Sequence, residues 1–171
     1  MGEAAVMGEA AAMGEASGLA QEASDSTRIV GVLVHRLLQR GLAEGAVDDA
    51  DLLRQAKALL TAADAAEHDD VQAMCRAVVQ AFRRLSAHEE LRGLYARGIP
   101  RYEVPFTLRD GSRIVRGTID CLVEEPGRVT VVEFKTGRPR PEHMAQAGLY
   151  TRAVRAAYPS ASVDTRLFYA E

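Results

Sequence analysis

Cysteine is scarce in this 171-residue chain: Cys75 and Cys121 are its only two, and no Cys-x-x-Cys occurs. Two thiols cannot build a four-cysteine zinc or iron–sulfur site. Set among apolar or helical neighbours, they read as buried free thiols in a reducing compartment. Long apolar runs are missing too, and no stretch reaches the roughly 20 residues that a membrane-spanning helix needs. The N-terminus has neither the basic start nor the apolar centre of a signal peptide. A cytoplasmic location without a membrane partner is therefore the expectation. Lysine is nearly absent, with Lys57 and Lys135 the only examples, so the position of Lys135 stands out.

The net charge of -3 is unevenly spread. Residues 1–100 carry 10 basic and 15 acidic side chains, and residues 101–171 carry 11 basic and 9 acidic ones. The C-terminal excess is almost all arginine, whose planar fork matches phosphate oxygens. That permits a phosphate partner for this half without requiring one. The length suits one domain with a real core.

The chain opens on a sixfold period, Met1-Gly2-Glu3-Ala4-Ala5-Val6, repeated from Met7 and again from Met13. Few large apolar groups are available there to offset ordering entropy. Residues 1–24 are expected to be a disordered, low-complexity tail. Helical periodicity follows. Asp25-Ser26-Thr27 offers N-caps for a helix from Arg28 to about Leu42, ended by Gly41 and Gly45. Further helices are predicted over about 50–66, 70–85 and 88–96.

The period then changes to that of strands. Tyr102–Leu108 is a first strand, with Pro105 marking an edge or bulge, and Asp110-Gly111 signals a hairpin. Ile114–Val123 and Val129–Lys135 follow, joined by Glu125-Pro126-Gly127-Arg128, where Pro then Gly suits a type II turn. Pro141 opens a helix that runs to about Tyr158, and Val163–Tyr169 is the last strand. The order predicts an α/β fold: a helical layer over 25–98, then an antiparallel three-strand meander, a helix and a further strand over 99–171.

Chemistry concentrates in the meander. Alternation puts Val129, Val131, Glu133 and Lys135 on one strand face. A carboxylate and an ammonium at a strand end are costly unless paired or bound. The hairpin can bring Asp120 beside them. Two carboxylates and a lysine so gathered suit a hard divalent cation, Mg²⁺ or Mn²⁺, and a phosphodiester. Lys135 can position water or stabilise developing charge.

His35 lies in the otherwise apolar first helix, one turn from Gly31 and Gln39. Gly31 removes bulk and allows close approach of another element. An interface histidine and a metal ligand are both readings of His35, and the neighbouring carboxylates favour the ligand. Gln146 and Tyr150 are four apart and share a helix face, suited to substrate by hydrogen bonding and stacking. Glu103 is a candidate supporting group from outside the immediate site.

The ordered set His35, Glu103-Val-Pro-Phe, Gly117-Thr-Ile-Asp120, Val131-Val-Glu133-Phe-Lys135-Thr-Gly137 and Gln146-x-x-x-Tyr150 resembles the PD-(D/E)XK nucleases. Within them it is most similar to the RecB/AddA-type nuclease domains of bacterial helicase–nucleases. The resemblance covers roughly residues 28–170. It implies a restriction-endonuclease-like core, with residues 25–171 as one nuclease domain. It implies a Mg²⁺- or Mn²⁺-dependent deoxyribonuclease of exonuclease type, acting on DNA in recombination or repair with a helicase partner. His35, Asp120, Glu133 and the Phe134 carbonyl would hold the metal. Asp120, Glu133 and Lys135 would be catalytic, and Gln146 and Tyr150 would bind substrate.

Two features depart from the full helicase–nucleases. No Gly-x-x-x-x-Gly-Lys-Ser/Thr occurs, so no helicase motor is expected in this chain. The cysteines of the iron–sulfur branch are lacking, so no iron–sulfur cluster is expected. The alternative reading is a DNA-binding module of the same fold that serves a helicase without cutting.

Overall fold

The computed structural model describes residues 26–41, 47–66, 68 and 70–171. The repeat tail, Asp25 and Gly45 lie outside the described residues. Helix α1 covers 26–39 and buries Ile29, Leu33, Val34, Leu37 and Leu38, one apolar stripe at helical spacing. Gly41, at φ +68°, follows its last turn, and its N–H bonds the Leu38 carbonyl at 3.0 Å.

The single helix predicted over 50–66 is two: α2 (Asp49–Leu59) and α3 (Ala62–Ala66). Leu60 takes an extended backbone, at φ -67° and ψ 136°. Beyond it the Thr61 hydroxyl and the Asp64 carboxylate cap each other's backbone N–H groups at 3.1 and 3.0 Å. This reciprocal cap restarts the helix, and the alanine-rich sequence around it does not signal the break. Helix α4 (Val71–Ser86) starts on the Asp70 side-chain cap, and α5 (Glu89–Arg97) leads into the sheet.

Four strands form one sheet in the order β1-β2-β3-β4: β1 (Ile99–Asp110), β2 (Arg113–Glu125), β3 (Arg128–Lys135) and β4 (Ser162–Tyr169). Strands β1, β2 and β3 are antiparallel neighbours, and β4 runs parallel to β3 after helix α6 (Pro141–Ala157). This is the meander, helix and further strand expected from the sequence. Both turns carry the anticipated glycines. Gly127 has φ +74° and Gly111 φ +62°. The latter sits at the first central position of a two-residue turn between Asp110 and Arg113, as type II′ requires.

β3 is buried on both faces, and its two faces sort into two cores. Val132 and Phe134 join Cys121, Val123 and Phe168 under α1, α4 and α5. Val129 and Val131 join Ile119, Leu122, Tyr150 and Val154 under α6. Both cysteines are buried and neither forms a disulfide. No helix among the described residues is long and apolar enough to cross a membrane.

The hairpin changes direction at one place. Tyr102 pairs with Cys121 and Val104 with Ile119, but Glu103 and Asp120 between them do not pair. Glu103 is the only non-glycine residue among those described with positive φ, at +51°. Two residues apart on a regular strand share a face, yet Tyr102 packs with the first core and Val104 with the second. β2 also parts from β3 here, since their ladder ends at Cys121 and Val132. From this break onward the β1–β2 hairpin projects as a two-stranded arm.

Gly98 joins α5 to β1 where the chain presses on β2. A Cβ there would sit 2.6 Å from Val123 Cγ1 and 2.9 Å from the Glu124 carbonyl oxygen. Gly98→Ala is expected to cost about 1–3 kcal/mol in urea unfolding. Gly148→Ala, on α6 with open space around it, should be neutral or stabilise by up to about 1 kcal/mol. Equal effects at the two positions would contradict this packing.

Candidate active site

The break at Asp120 puts four elements around one point. Asp120 comes from β2, Glu133 and Lys135 from the end of β3, His35 from α1 and Glu103 from β1. The Phe134 N–H donates to Asp120 Oδ2 at 2.8 Å, and the Asp120 N–H to Glu133 Oε1 at 3.4 Å. Side chains thus take over where the backbone ladder stops, which satisfies donors otherwise left without partners.

His35 reaches the same point from the opposite layer. Its Nε2 lies 3.2 Å from the Phe134 carbonyl oxygen and its Nδ1 3.4 Å from Asp120 Oδ1. The approach depends on Gly31, one turn earlier: a Cβ there would stand 3.3 Å from Thr136 Oγ1. Burial pulls the His35 pKa down, but the hydrogen bond and charge of Asp120, with the Phe134 carbonyl, outweigh it, and the net shift is upward. A ring with both nitrogens protonated is a cation against Asp120.

One ligand atom each from His35, Glu103 and Asp120 lies within 4.8 Å of the other two. Ligands held at about 2.0–2.1 Å by one Mg²⁺ are at most about 4.2 Å apart. The donor set, two carboxylates and an imidazole beside a carbonyl oxygen, thus fits a hard or borderline divalent cation after small adjustment. Glu133 is aimed differently. It is 1% exposed, and its Oε2 accepts from Lys135 Nζ at 3.1 Å. Burial pushes its carboxyl up to about 7, the charge of Asp120 adds to this, and Lys135 opposes it.

Lys135 Nζ also donates to Gln146 Oε1 at 2.8 Å, and Gln146 Nε2 donates to the Tyr150 hydroxyl at 2.7 Å. Gln146 and Tyr150 therefore do share a face of α6, and that face meets the β3 end. Burial, and secondarily the charge of Glu133, raises the Tyr150 pKa, so the phenol keeps its proton. The Phe106 ring packs edge-on against Tyr150 at 5.2 Å between centroids. Gly117 opposite makes this possible, because a Cβ there would lie 2.8 Å from Phe106 Cε1.

Of the eight residues singled out in the sequence, seven lie together here: His35, Asp120, Glu133, Phe134, Lys135, Gln146 and Tyr150. Glu103, expected at a distance from the centre, has its carboxylate among the would-be ligands. Its place was recoverable from sequence, since counting back from the turn between Asp110 and Arg113 sets Glu103 opposite Asp120. Phe106 carried no signal of its own. A larger cavity of about 660 Å³ between α1 and α4 is lined by none of these carboxylates.

Against known proteins, the chain matches the family model of the PD-(D/E)XK nuclease superfamily over residues 10–171. It belongs to that superfamily, and its α/β sheet is the corresponding fold. A stretch of 60 residues is 38% identical to an ATP-dependent helicase/nuclease subunit of Moorella thermoacetica. That match covers 33% of this chain and 4% of the relative, so the chain spans a small part of the relative's length. Protein VC1899 from Vibrio cholerae aligns over 84% of this chain and 48% of its own, at 13% identity and a TM-score of 0.30.

The raised Glu133 carboxyl sets a pH dependence for the metal-free protein. Below its ordinary value of 4.5 the group is protonated whether folded or unfolded. Between there and about 7 the folded state holds the proton more tightly, so this contribution to stability is lost as pH rises. Glu133→Gln has no such loss. In EDTA, the stability of Glu133→Gln relative to wild type should increase from pH 5 to pH 8 by on the order of 2 kcal/mol. A difference that stays flat across this range would contradict the burial of an ionisable carboxyl at this position.

Proposed function

We propose that the protein is a metal-dependent deoxyribonuclease that hydrolyses phosphodiester bonds, the exonuclease-type part of a recombination or repair helicase–nuclease system. Superfamily membership supports the nuclease class. The short stretch similar to a helicase/nuclease protein supports DNA as substrate and a helicase as partner. The observation that carries the reading is the meeting of His35, Glu103 and Asp120 beside the Lys135–Glu133 pair at the break in the sheet. We take residues 25–171 as the nuclease domain, with 25–98 as its helical layer and 99–171 as its catalytic core.

In this reading His35, Asp120, Glu133 and the Phe134 carbonyl hold Mg²⁺ or Mn²⁺, with Glu103 completing the carboxylate side. When bound, the cation supplies Lewis acidity toward the scissile phosphate and acidifies water. The remaining work falls to the chain. Lys135, fixed between Glu133 and Gln146, presents an ammonium to the reacting phosphate, where preorganised charge is most effective. Glu133, buried and bonded to Lys135, would favour its ionised form beside a cation. Gln146 and Tyr150 hold the strand and keep Lys135 in place.

The direct test uses end-labelled linear DNA and closed circular DNA, with Mg²⁺, with Mn²⁺ and with excess EDTA. Cleavage of linear DNA only in the presence of metal is expected, and Asp120→Ala should lower it at least about 100-fold. Cutting in excess EDTA, or full activity in Asp120→Ala, would sink the assignment. Tight DNA binding without cutting would leave the non-cleaving DNA-binding module. His35→Ala and Glu103→Gln should each raise the metal concentration for half-maximal cleavage by about 10–100-fold. An unchanged metal curve in Glu103→Gln would remove that residue from the metal site.

A further inference from the structure

We propose that the projecting arm of the β1–β2 hairpin is a nucleic-acid backbone contact. In it Arg109, Arg113 and Arg116 hold phosphates of the substrate strand and lead it into the groove beside Lys135. The proposal rests on the nuclease reading above and adds a surface outside the metal cluster. It begins from how the arginines are spent. Arg54, Arg83, Arg97, Arg101, Arg128, Arg138, Arg152 and Arg166 each pair with a carboxylate. Arg109, Arg113 and Arg116 make no ion pair or side-chain hydrogen bond among the described residues, and all three are exposed; Arg28, Arg40, Arg76, Arg140 and Arg155 also lack one, but they are scattered, whereas the arm gathers three on one hairpin. The one acidic residue at the tip, Asp110, is already neutralised by a two-pronged bond from Arg152 at 2.9 and 3.2 Å. The arm therefore keeps its positive charge.

The geometry spreads that charge over both faces of the tip. Thr107 pairs with Arg116 and Arg109 with Ile114, so Arg109 and Arg116 share a face as diagonal neighbours, roughly 7–8 Å apart at the backbone, while Arg113, opposite Asp110, lies on the face turned to α6. The arm has no β3 alongside it, so the β2 edge there is open. Ile114, on the face of Arg109 and Arg116, is 59% exposed. Arg116 also lines a groove of about 490 Å³ between the arm and α6, together with Phe106, Leu149, Gln146 and Tyr150. Glu142 is the only carboxylate on that groove. Gln146 is the residue that binds Lys135 Nζ at 2.8 Å, so the groove leads from Arg116 toward Lys135. Guanidinium groups match phosphate oxygens, and aromatic walls suit the bases of a single strand. The occupant is a polyanionic strand, several phosphates long.

The test measures binding of a fluorescent 20-nucleotide single strand in Ca²⁺ as a function of NaCl concentration. It compares wild type, R109Q/R113Q/R116Q, and a control of equal charge change, R54Q/R76Q/R166Q. Each phosphate contact on a single strand adds about 0.7 to the salt slope. The arm variant should lose about 2 from that slope, and its affinity should fall at least tenfold at low salt. Its melting temperature and its Mn²⁺-induced stabilisation should match wild type. The control should keep most of the slope. An arm variant with the wild-type slope overturns the proposal, as does a control that loses as much. An arm variant that melts early or loses Mn²⁺ stabilisation also overturns it, because the arginines would then be structural. Wild type that neither binds nor cuts nucleic acid overturns the nuclease reading and the arm together. Wild type that cuts DNA while the arm variant binds normally overturns the arm alone.

Discussion

The N–H of Phe134 lies beyond the last β2–β3 ladder pair, and the Asp120 carboxylate accepts from it at 2.8 Å. Much of the site depends on that substitution of a side chain for a backbone carbonyl. It holds β2 against β3 at the point where their ladder has ended, and it turns one oxygen of Asp120 into the sheet. The other oxygen faces His35. The same break separates Glu103 from its partner and leaves Glu103 in a left-handed conformation, a strained state for a residue with a side chain. A continuous ladder would relieve that strain. It would also return Asp120 to the ladder and remove the place where three acidic side chains and an imidazole meet.

Holding these charges together costs free energy in the absence of a ligand. Glu133 is almost completely buried and its carboxyl favours the proton. His35 is pushed the other way, toward its charged form, by Asp120. Burial is the first cause of the Glu133 shift, with the charge of Asp120 adding to it; in His35 the hydrogen bond and charge of Asp120 prevail over burial. Lys135 supplies part of the compensation and the imidazolium another part. A divalent cation would supply more than either and would displace both protons. Surrounding packing keeps the groups from moving apart: Gly31 lets α1 sit against Thr136, and Gly117 lets Phe106 sit against Tyr150, which in turn holds Gln146 on Lys135.

The site also straddles the sheet. Glu133 and Lys135 lie on the face covered by α6, while His35 comes from the helical layer on the other face. This explains why the candidate site residues are spread over more than a hundred positions of sequence, from His35 to Tyr150. It also explains why both hydrophobic cores bear on the same chemistry: one fixes α1, the other fixes α6.

Strand alternation and turn residues alone determine most of the core. The Val129–Lys135 run, the Pro-Gly turn before it and the Asp110-Gly111 signal specify the meander and put Glu133 and Lys135 on one face, because side-chain direction in a strand is a local property. The spacing of Gln146 and Tyr150 is local in the same sense. The break between α2 and α3 was not legible, because a reciprocal Thr61–Asp64 cap interrupts a sequence whose alanine content favours helix throughout. Only the tertiary structure decided the rest. Asp120 and Glu103 leave the ladder together, His35 arrives from 99 residues before Phe134, and the three arginines of the arm remain without a carboxylate. These outcomes depend on how two layers pack against a sheet that bends at one point, and no local pattern in the chain encodes that distance.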